Sequence, residues 1–282
     1  MRIKKFKKNK YILSKDKIWV RDLCSRADYI DINNLYSKEK KIWLENEFLN
    51  LKKSKLEIPT LSFSNIAICS DGLDWNEKQE VLGQIPNSEL RIIGTNGSLK
   101  NWNMVGENAK IKRVMSFYLV NNPYGECEFY LPKKHNYYPS LISSIRTNPI
   151  FIEEYKNKNE IYFYKPSEDL NYSSPPNILN IHLDDYRNPI CAAISLAYKF
   201  NVKNLFLFCC DDAFKDERPG AIKMENGFYQ YPQQIMSQNI IDKQLYWLKQ
   251  AGIKIFDHSS GIKYENAEYI NSQDLISFFS KE

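Results

Sequence analysis

No apolar stretch in this sequence approaches the ~20 residues needed to cross a bilayer, and no apolar segment follows the charges at its N-terminus. Neither a membrane span nor an export signal is expected, and the cytoplasm is the expected location. The six cysteines, Cys24, Cys69, Cys127, Cys191, Cys209 and Cys210, lie mainly in apolar runs and never at C-x-x-C spacing, which argues against a disulfide framework or a zinc site. Only three histidines occur, His135, His182 and His258, and no two stand at metal-ligand spacing. There is no G-x-x-x-x-G-K-[ST] and no complete G-x-G-x-x-G after a strand, so neither a P-loop nucleotidase nor a standard dinucleotide enzyme is supported. Internal repeats are lacking as well.

What is present is enough apolar material for a full core. With 282 residues, 43% of them hydrophobic and 14% aromatic, the chain suits one large domain, or one domain with a smaller extension. Much of the net charge of +5 lies in Arg2, Lys4, Lys5, Lys7, Lys8, Lys10, Lys15 and Lys17, read as a solvated terminus rather than a nucleic-acid contact.

The stretch from His182 to Phe214 organises the rest. Ile190, Ile194, Ala197 and Phe200 are spaced to share one helix face, and Pro189 sits where a first helical turn tolerates a missing N–H. Asn201 can take the left-handed conformation that ends a helix, and Leu205 to Cys210 is an apolar run suited to a central parallel strand. Asp211 and Asp212 then fall just past its carboxyl end, the edge where open α/β sheets bind ligands.

Around this segment the spacing predicts alternating strands and helices. A short strand is expected within Tyr11–Val20, and a charged helix over Lys38–Lys53, with Ile42, Trp43, Phe48 and Leu49 offering its apolar face. Residues 1–59 read as an N-terminal extension, joined through Pro59–Ser64 to an α/β domain over 60–282. Strands are predicted at Asn65–Cys69, Leu90–Gly94, Arg113–Val120, Leu141–Ile145, Ile161–Tyr164 and Ile253–Phe256. Helices are expected after Asp74, whose spacing to Glu77 fits a capping box, from Asn121–Pro123 toward Tyr130, near Pro149–Tyr155, over Gln233–Gln250 and over Ser272–Phe279. Lys215–Pro232 is too long and polar for an ordinary connection, which suggests a lid or binding loop. These βα units predict a doubly wound, mostly parallel, Rossmann-like sheet covered on both faces.

Polar clusters follow the predicted strand ends: Ser70-Asp71-Gly72, Thr95-Asn96-Gly97, Asn121-Asn122, Arg146-Thr147-Asn148, Asp211-Asp212 and Asp257-His258-Ser259. Turns need Gly, Asn and Asp for backbone reasons, so each cluster alone is ordinary; in a parallel sheet, however, all of them converge on one edge. Asn96 and Gly97 are placed to hold a phosphate or ribose on backbone N–H groups. Arg146, Arg187 and Arg218 are candidate phosphate forks, with surface pairing as the alternative. Asp211 and Asp212 suit magnesium, which takes one or two carboxylates beside substrate phosphates. Equally, one of them caps the following segment while the other pairs with Lys215 or Arg218. His258 is a candidate acid, base or ligand contact, or else a loop histidine.

From H-L-D-D-Y-R-N-P through F-C-C-D-D-A-F, and on through N-I-I-D-K-Q-L-Y-W-L-K-Q-A-G-I-K-I-F-D, the chain resembles the archaeal hydroxymethylpterin diphosphokinase (MptE-like) family. Motility-associated-factor glycosyltransferases and bacterial sialyltransferases are more distant fold relatives of that family. Cys210–Phe214 stands where the resemblance places a strand-end G-x-D-F, and Thr95-Asn96-Gly97 looks like a family turn. The resemblance spans about Asn65 to Ile270 and implies the Rossmann-like architecture. Where the kinases carry an acidic T-D-L-D run for magnesium and ATP, this chain reads Tyr118-Leu119-Val120-Asn121-Asn122; where the glycosyltransferases carry G-x-G-P-S, it reads Ser70-Asp71-Gly72.

The expectation is a nucleotide-dependent transferase that takes a sugar from a nucleotide sugar. Asp71, Gly72, Asn96, Gly97, Arg146, Arg187 and Asn188 would hold the nucleotide and its phosphates, and Asp211 or His258 would act as base. An ATP- and magnesium-dependent diphosphokinase, with its metal on Asp211 and Asp212, is the second reading; a binding protein that kept the fold is the third. A nucleotide ligand is the expected partner, with no organic cofactor and no nucleic acid, and the oligomeric state is left open.

Overall fold

A computed structural model describes residues 32–52, 56–102, 113–123, 131, 137–167, 181–186, 188–211, 213–218, 220–261 and 263–280. The predicted strand in Tyr11–Val20 and the predicted helix toward Tyr130 lie outside the described residues.

The order of elements is α1 (Ile32–Leu51), β1 (Asn65–Cys69), α2 (Trp75–Gly83), β2 (Arg91–Thr95), a 3-10 turn (Asn96–Ser98), β3 (Phe117–Val120), β4 (Ser140–Ser144), α3 (Pro149–Tyr155), β5 (Ile161–Pro166), β6 (His182–Leu183), α4 (Pro189–Lys199), β7 (Asn204–Phe208), β8 (Ile222–Lys223), β9 (Tyr229–Gln230), α5 (Pro232–Gln250), β10 (Lys254–Asp257), β11 (Glu268–Tyr269) and α6 (Ser272–Phe279). Nine strands form one sheet in the order β11-β10-β7-β1-β2-β3-β4-β5-β6, and every pairing in it is parallel. The expected doubly wound, Rossmann-like α/β architecture is therefore the one observed.

Alternation along the strands divides the core in two. Ile66, Ile68, Leu205, Leu207 and Ile255 face one way, under α4 and α5, in a cluster that includes Ile190, Ile194, Ile241 and Leu245. Ala67, Cys69, Phe206, Phe208 and Phe256 face the other way, against Trp75, Leu82, Phe151 and Leu275 of α2, α3 and α6. Helix α4 is buried at every residue from Pro189 to Ala197, because it lies across β1, β2 and β3 in the middle of the sheet. Each large aliphatic side chain buried this way contributes ~1.5–3 kcal/mol.

Local signals account for many of the boundaries. Helices α3, α4 and α5 all begin on proline, and Asn148 and Asn188 cap the first two by accepting from the Ile150 and Ile190 amides. Asn201 (φ 52°) and Gly252 (φ 85°) take the left-handed conformation that stops α4 and α5.

Three expectations change. Strand β3 begins at Phe117 rather than Arg113, since Arg113 is buried and turns its guanidinium onto the Ile85 and Leu90 carbonyls at 2.8 and 2.6 Å. Strand β7 ends at Phe208 rather than Cys210, because Cys209 adopts φ 52° and bends the chain out of the sheet. The capping box at Asp74 does not form: Asp74 is itself left-handed (φ 57°) and makes no side-chain cap.

Helix α1 turns a polar edge inward. Asn46 donates to the Pro123 and Arg146 carbonyls at 2.8 and 2.9 Å, and Asn50 to those of Ile145 and Thr147, both at 2.8 Å. Those carbonyls belong to the loops that leave β3 and β4. Ile42, Trp43 and Leu49 are half-buried, whereas Phe48, expected on the inner face, points to solvent.

Candidate functional site

The chain winds outward from β1 through β2 to β6 and then returns to lay β7 on the other side of β1. The loop leaving β1 leads to α2 on one face of the sheet, and the loop leaving β7 leads to α5 on the other. Between these diverging loops lies the topological switch point, where open α/β sheets form their ligand crevice.

Asp211 closes the floor of that crevice. The left-handed turn at Cys209 tips the chain so that the Asp211 carboxylate, 1% exposed, accepts the Leu73 amide on Oδ1 at 3.3 Å and the Gly261 amide on Oδ2 at 2.7 Å. One carboxylate thus joins the loops after β1, β7 and β10. Burial raises its pKa, opposed by those amides. With both oxygens taken up by backbone N–H groups, Asp211 is arranged to hold loops rather than to accept a proton from a substrate or to ligate a cation.

Glycine makes the close approach possible. A Cβ on Gly72 would overlap Asp211 Oδ1 and the Cys209 carbonyl, one on Gly97 would overlap Asp71 Oδ2, and one on Gly261 would lie 2.7 Å from Asp211 Oδ2. None of the three needs a left-handed backbone. They are glycine for room, not for φ.

At the mouth, Asp71 is exposed as a residue, while its Oδ2 turns in over Gly97. Desolvation at that contact raises its pKa, against hydrogen bonds from its own amide and Ser70 and the nearby charge of Lys100. Asp74, on the β1 loop, pairs with Lys215, on the β7 loop, at 2.6 Å. That pair bridges the two sides of the crevice at its exposed rim and, led by the hydrogen bond from Lys215, lowers the Asp74 pKa. The segment beyond Lys215, expected as a lid or binding loop, folds back as the antiparallel pair β8–β9, and Phe214 exchanges backbone hydrogen bonds with Tyr229 at 2.9 Å. Arg218 covers the Phe214 ring, its Cζ 3.7 Å from the centroid.

The structure therefore brings Asp71, Gly72, Gly97 and Asp211 together with Gly261, and the backbone of Asn96 opens the 3-10 turn beside them. The other expected residues are placed differently. His258 is 1% exposed, its Nδ1 lies 2.7 Å from the Ile270 carbonyl, and its ring packs edge-on against Phe208 at 5.2 Å; burial lowers its pKa. It sits as a core histidine that joins β10 to the approach of α6. Asn188 spends its side-chain oxygen on the α4 cap. Arg146 follows β4, three strands from β1, or ~14 Å at ~4.8 Å per strand. There it lies 3.7 Å from Glu47 and over the Trp43 ring, both on α1. Arg187 and Asp212 lie outside the described residues.

Beside His258 lies Asp257. It is 1% exposed, and its Oδ1 accepts the Ser259 amide at 2.9 Å. Burial pushes its pKa up to about 6, opposed by the Ser259 amide and reinforced by the Asp211 charge. Among the described residues no group of three His, Cys, Asp or Glu side chains converges as a metal cage, and no helix is long and apolar enough to cross a membrane.

The fold resembles that of a MAf glycosyltransferase. The MAf glycosyltransferase from Magnetospirillum magneticum AMB-1 superposes with a TM-score of 0.59 at 13% identity, over 85% of this chain and 40% of that one. The present chain thus spans less than half the length of that protein, and at this identity the likeness is one of fold. Comparisons with protein-family models and with curated proteins give no match.

Proposed function

We propose that the protein is a nucleotide-dependent transferase that moves a sugar from a nucleotide-sugar donor, with the donor seated in the switch-point crevice between the loops after β1, β2 and β7. The observation that carries this reading is the set of glycines at the strand-end crevice: Gly97 leaves room for the Asp71 carboxylate, Gly72 and Gly261 for that of Asp211, and Gly72 for the Cys209 carbonyl as well. The Gly261 amide is already given to Asp211 Oδ2, so phosphate oxygens would be met by the backbone of the turns at residues 70–72 and at Asn96–Ser98. The fold likeness to a MAf glycosyltransferase adds support at the level of architecture.

In this reading Asp71, not Asp211 or His258, is the base. It is the exposed carboxylate of the cluster, and its raised pKa moves it toward the range useful for proton transfer at neutral pH. The acceptor hydroxyl gives its proton to Asp71 as its oxygen bonds to the anomeric carbon. The bond from that carbon to the donor phosphate breaks, and the nucleotide leaves with the electron pair as a phosphate anion.

One observation favours a second reading, a nucleotide-binding protein without catalysis: Asp211 and His258 are both buried and hydrogen-bonded to backbone groups. Thermal-shift titration with CMP, UDP, GDP and ATP, each with and without magnesium, tests these together. A rise with CMP or a nucleoside diphosphate, with donor hydrolysis or transfer lost in Asp71→Asn while nucleotide binding persists, is the expected result. A rise that requires ATP with magnesium points instead to a diphosphokinase. Binding without turnover in the wild type leaves the second reading, and silence from all four nucleotides removes the first.

A further inference from the structure

Helix α1 is turned inside out. A surface helix ordinarily buries its apolar stripe and shows polar side chains to water. Here Asn46 and Asn50 are buried and spent on backbone carbonyls, while Leu44, Phe48 and Leu51 are 56%, 59% and 44% exposed. Their spacing of four and three lines them up along the outer face. Among the described residues, the other exposed large apolar side chains, Leu61, Val114, Ile222, Tyr246 and Tyr269, come one to an element or loop. An apolar stripe of this kind marks a surface that meets an apolar phase.

Positive charge gathers on the same part of the chain. Residues 1–58 hold 16 Lys and Arg against 8 Asp and Glu, a net +8, whereas residues 59–282 hold 23 against 26, a net −3. Lys41 and Lys52 are both exposed, and Lys52 holds its ammonium 4.0 Å from the Phe48 ring centroid, at the edge of the stripe. A cationic head at the rim of apolar surface is how lysine sits at a boundary between water and lipid. Of the carboxylates in this half of the helix, Glu45 is exposed one turn from Lys41, and Glu47 is turned toward Arg146. The charge also discriminates among occupants. A second copy seated on this face would bring one strongly basic segment against another, and a nucleic acid would have no use for the leucine and phenylalanine side chains.

We propose that α1 is a docking surface for an anionic lipid bilayer. Leu44, Phe48 and Leu51 enter the headgroup boundary, and the net positive charge of residues 1–58 supplies the attraction to anionic headgroups. The surface is separate from the crevice and does not depend on glycosyl transfer. Because Asn46 and Asn50 fasten α1 to the loops leaving β3 and β4, docking brings those loops close to the bilayer.

The test is co-sedimentation of the full chain with vesicles of phosphatidylcholine alone and of phosphatidylcholine mixed with phosphatidylglycerol, in low and high salt. The wild type is expected to bind the mixed vesicles at least tenfold more tightly than the neutral ones, and to lose most of that binding in high salt. The triple variant Leu44→Gln, Phe48→Gln and Leu51→Gln is expected to bind the mixed vesicles at least tenfold more weakly, and Ile222→Gln within threefold of the wild type. Glutamine keeps helix propensity at exposed positions, so the triple variant should retain the wild-type melting curve; should it melt lower, Phe48→Gln alone is expected to weaken binding threefold or more. No binding by the wild type, or equal binding to neutral vesicles, overturns the proposal. So does unchanged binding in both the triple variant and Phe48→Gln, which would assign the attraction to charge alone. A wild-type dimer in light scattering that the triple variant reduces to a monomer would also overturn it, by making the stripe an interface between copies.

Discussion

Asp211 Oδ2 accepts the Gly261 amide at 2.7 Å across 50 residues of sequence, while Oδ1 of the same carboxylate accepts the Leu73 amide 138 residues away. The Asp211 carboxylate is a tie between three loops.

Removing that tie leaves two amides in a buried place without acceptors. Asp211→Ala is expected to lower stability by ~2–4 kcal/mol, and Asp211→Asn, which keeps one acceptor, by about half of that. Urea denaturation followed by far-UV circular dichroism measures both; a loss below ~0.5 kcal/mol in Asp211→Ala would mean that the tie contributes little.

The crevice glycines separate steric from conformational cost. Gly72→Ala and Gly261→Ala drive a methyl into Asp211, and for Gly72 into a backbone carbonyl as well, so each is expected to cost ~1–3 kcal/mol and to disturb the crevice. Gly227→Ala meets nothing within 4 Å but sits at φ +85°, so it is expected to cost only ~1 kcal/mol and to leave the crevice intact. Melting curves rank the three, and nucleotide titration reports on the crevice.

Stability should depend on pH in a way set by Asp257. Its folded pKa, about 6, lies above its unfolded value of ~3.9, so the folded state holds the proton more tightly. The contribution is complete below about pH 4, falls as pH rises through 4 to 6, and is gone above that. His258 has the opposite sign: with its folded pKa lowered, its contribution is complete above pH ~6.5 and is lost as pH falls below that. Asp257→Asn is expected to remove most of the decline between pH 4 and 6. An unchanged slope in denaturation curves across that window would contradict the assignment.

Helix α1 is held at the rim by side-chain amides. Asn50→Ala, which strands the Ile145 and Thr147 carbonyls, is expected to cost ~1–3 kcal/mol. It should also speed amide exchange in α1 by tenfold or more while leaving β1 and β7 protected, as read by hydrogen–deuterium exchange.

The central layer could be read directly from residue order. Pro189, the spacing of Ile190, Ile194 and Ala197, Asn201 and the apolar run after it predict α4 and β7, because a helix buried across the sheet and a strand covered on both faces leave little choice of residue. Other features depend on partners far along the chain. The Asp74–Glu77 spacing looks like a capping box, but Asp74 is left-handed and bonded to Lys215, 141 residues away. Asn46 and Asn50 on a charged helix look like a solvated face until the carbonyls they bind are in view. His258 stands out by residue type in a polar cluster, yet position along β10 decides which of Asp257 and His258 lies on which side of the sheet. The short strands β6 and β11, two residues each, are too brief for any periodicity to register.

Two asparagines on α1 satisfy four carbonyls on one side of the strand-end edge, and Asn46 alone reaches the loops that leave both β3 and β4. The two loops are thereby fastened to each other through a third segment, so lifting α1 would release them together.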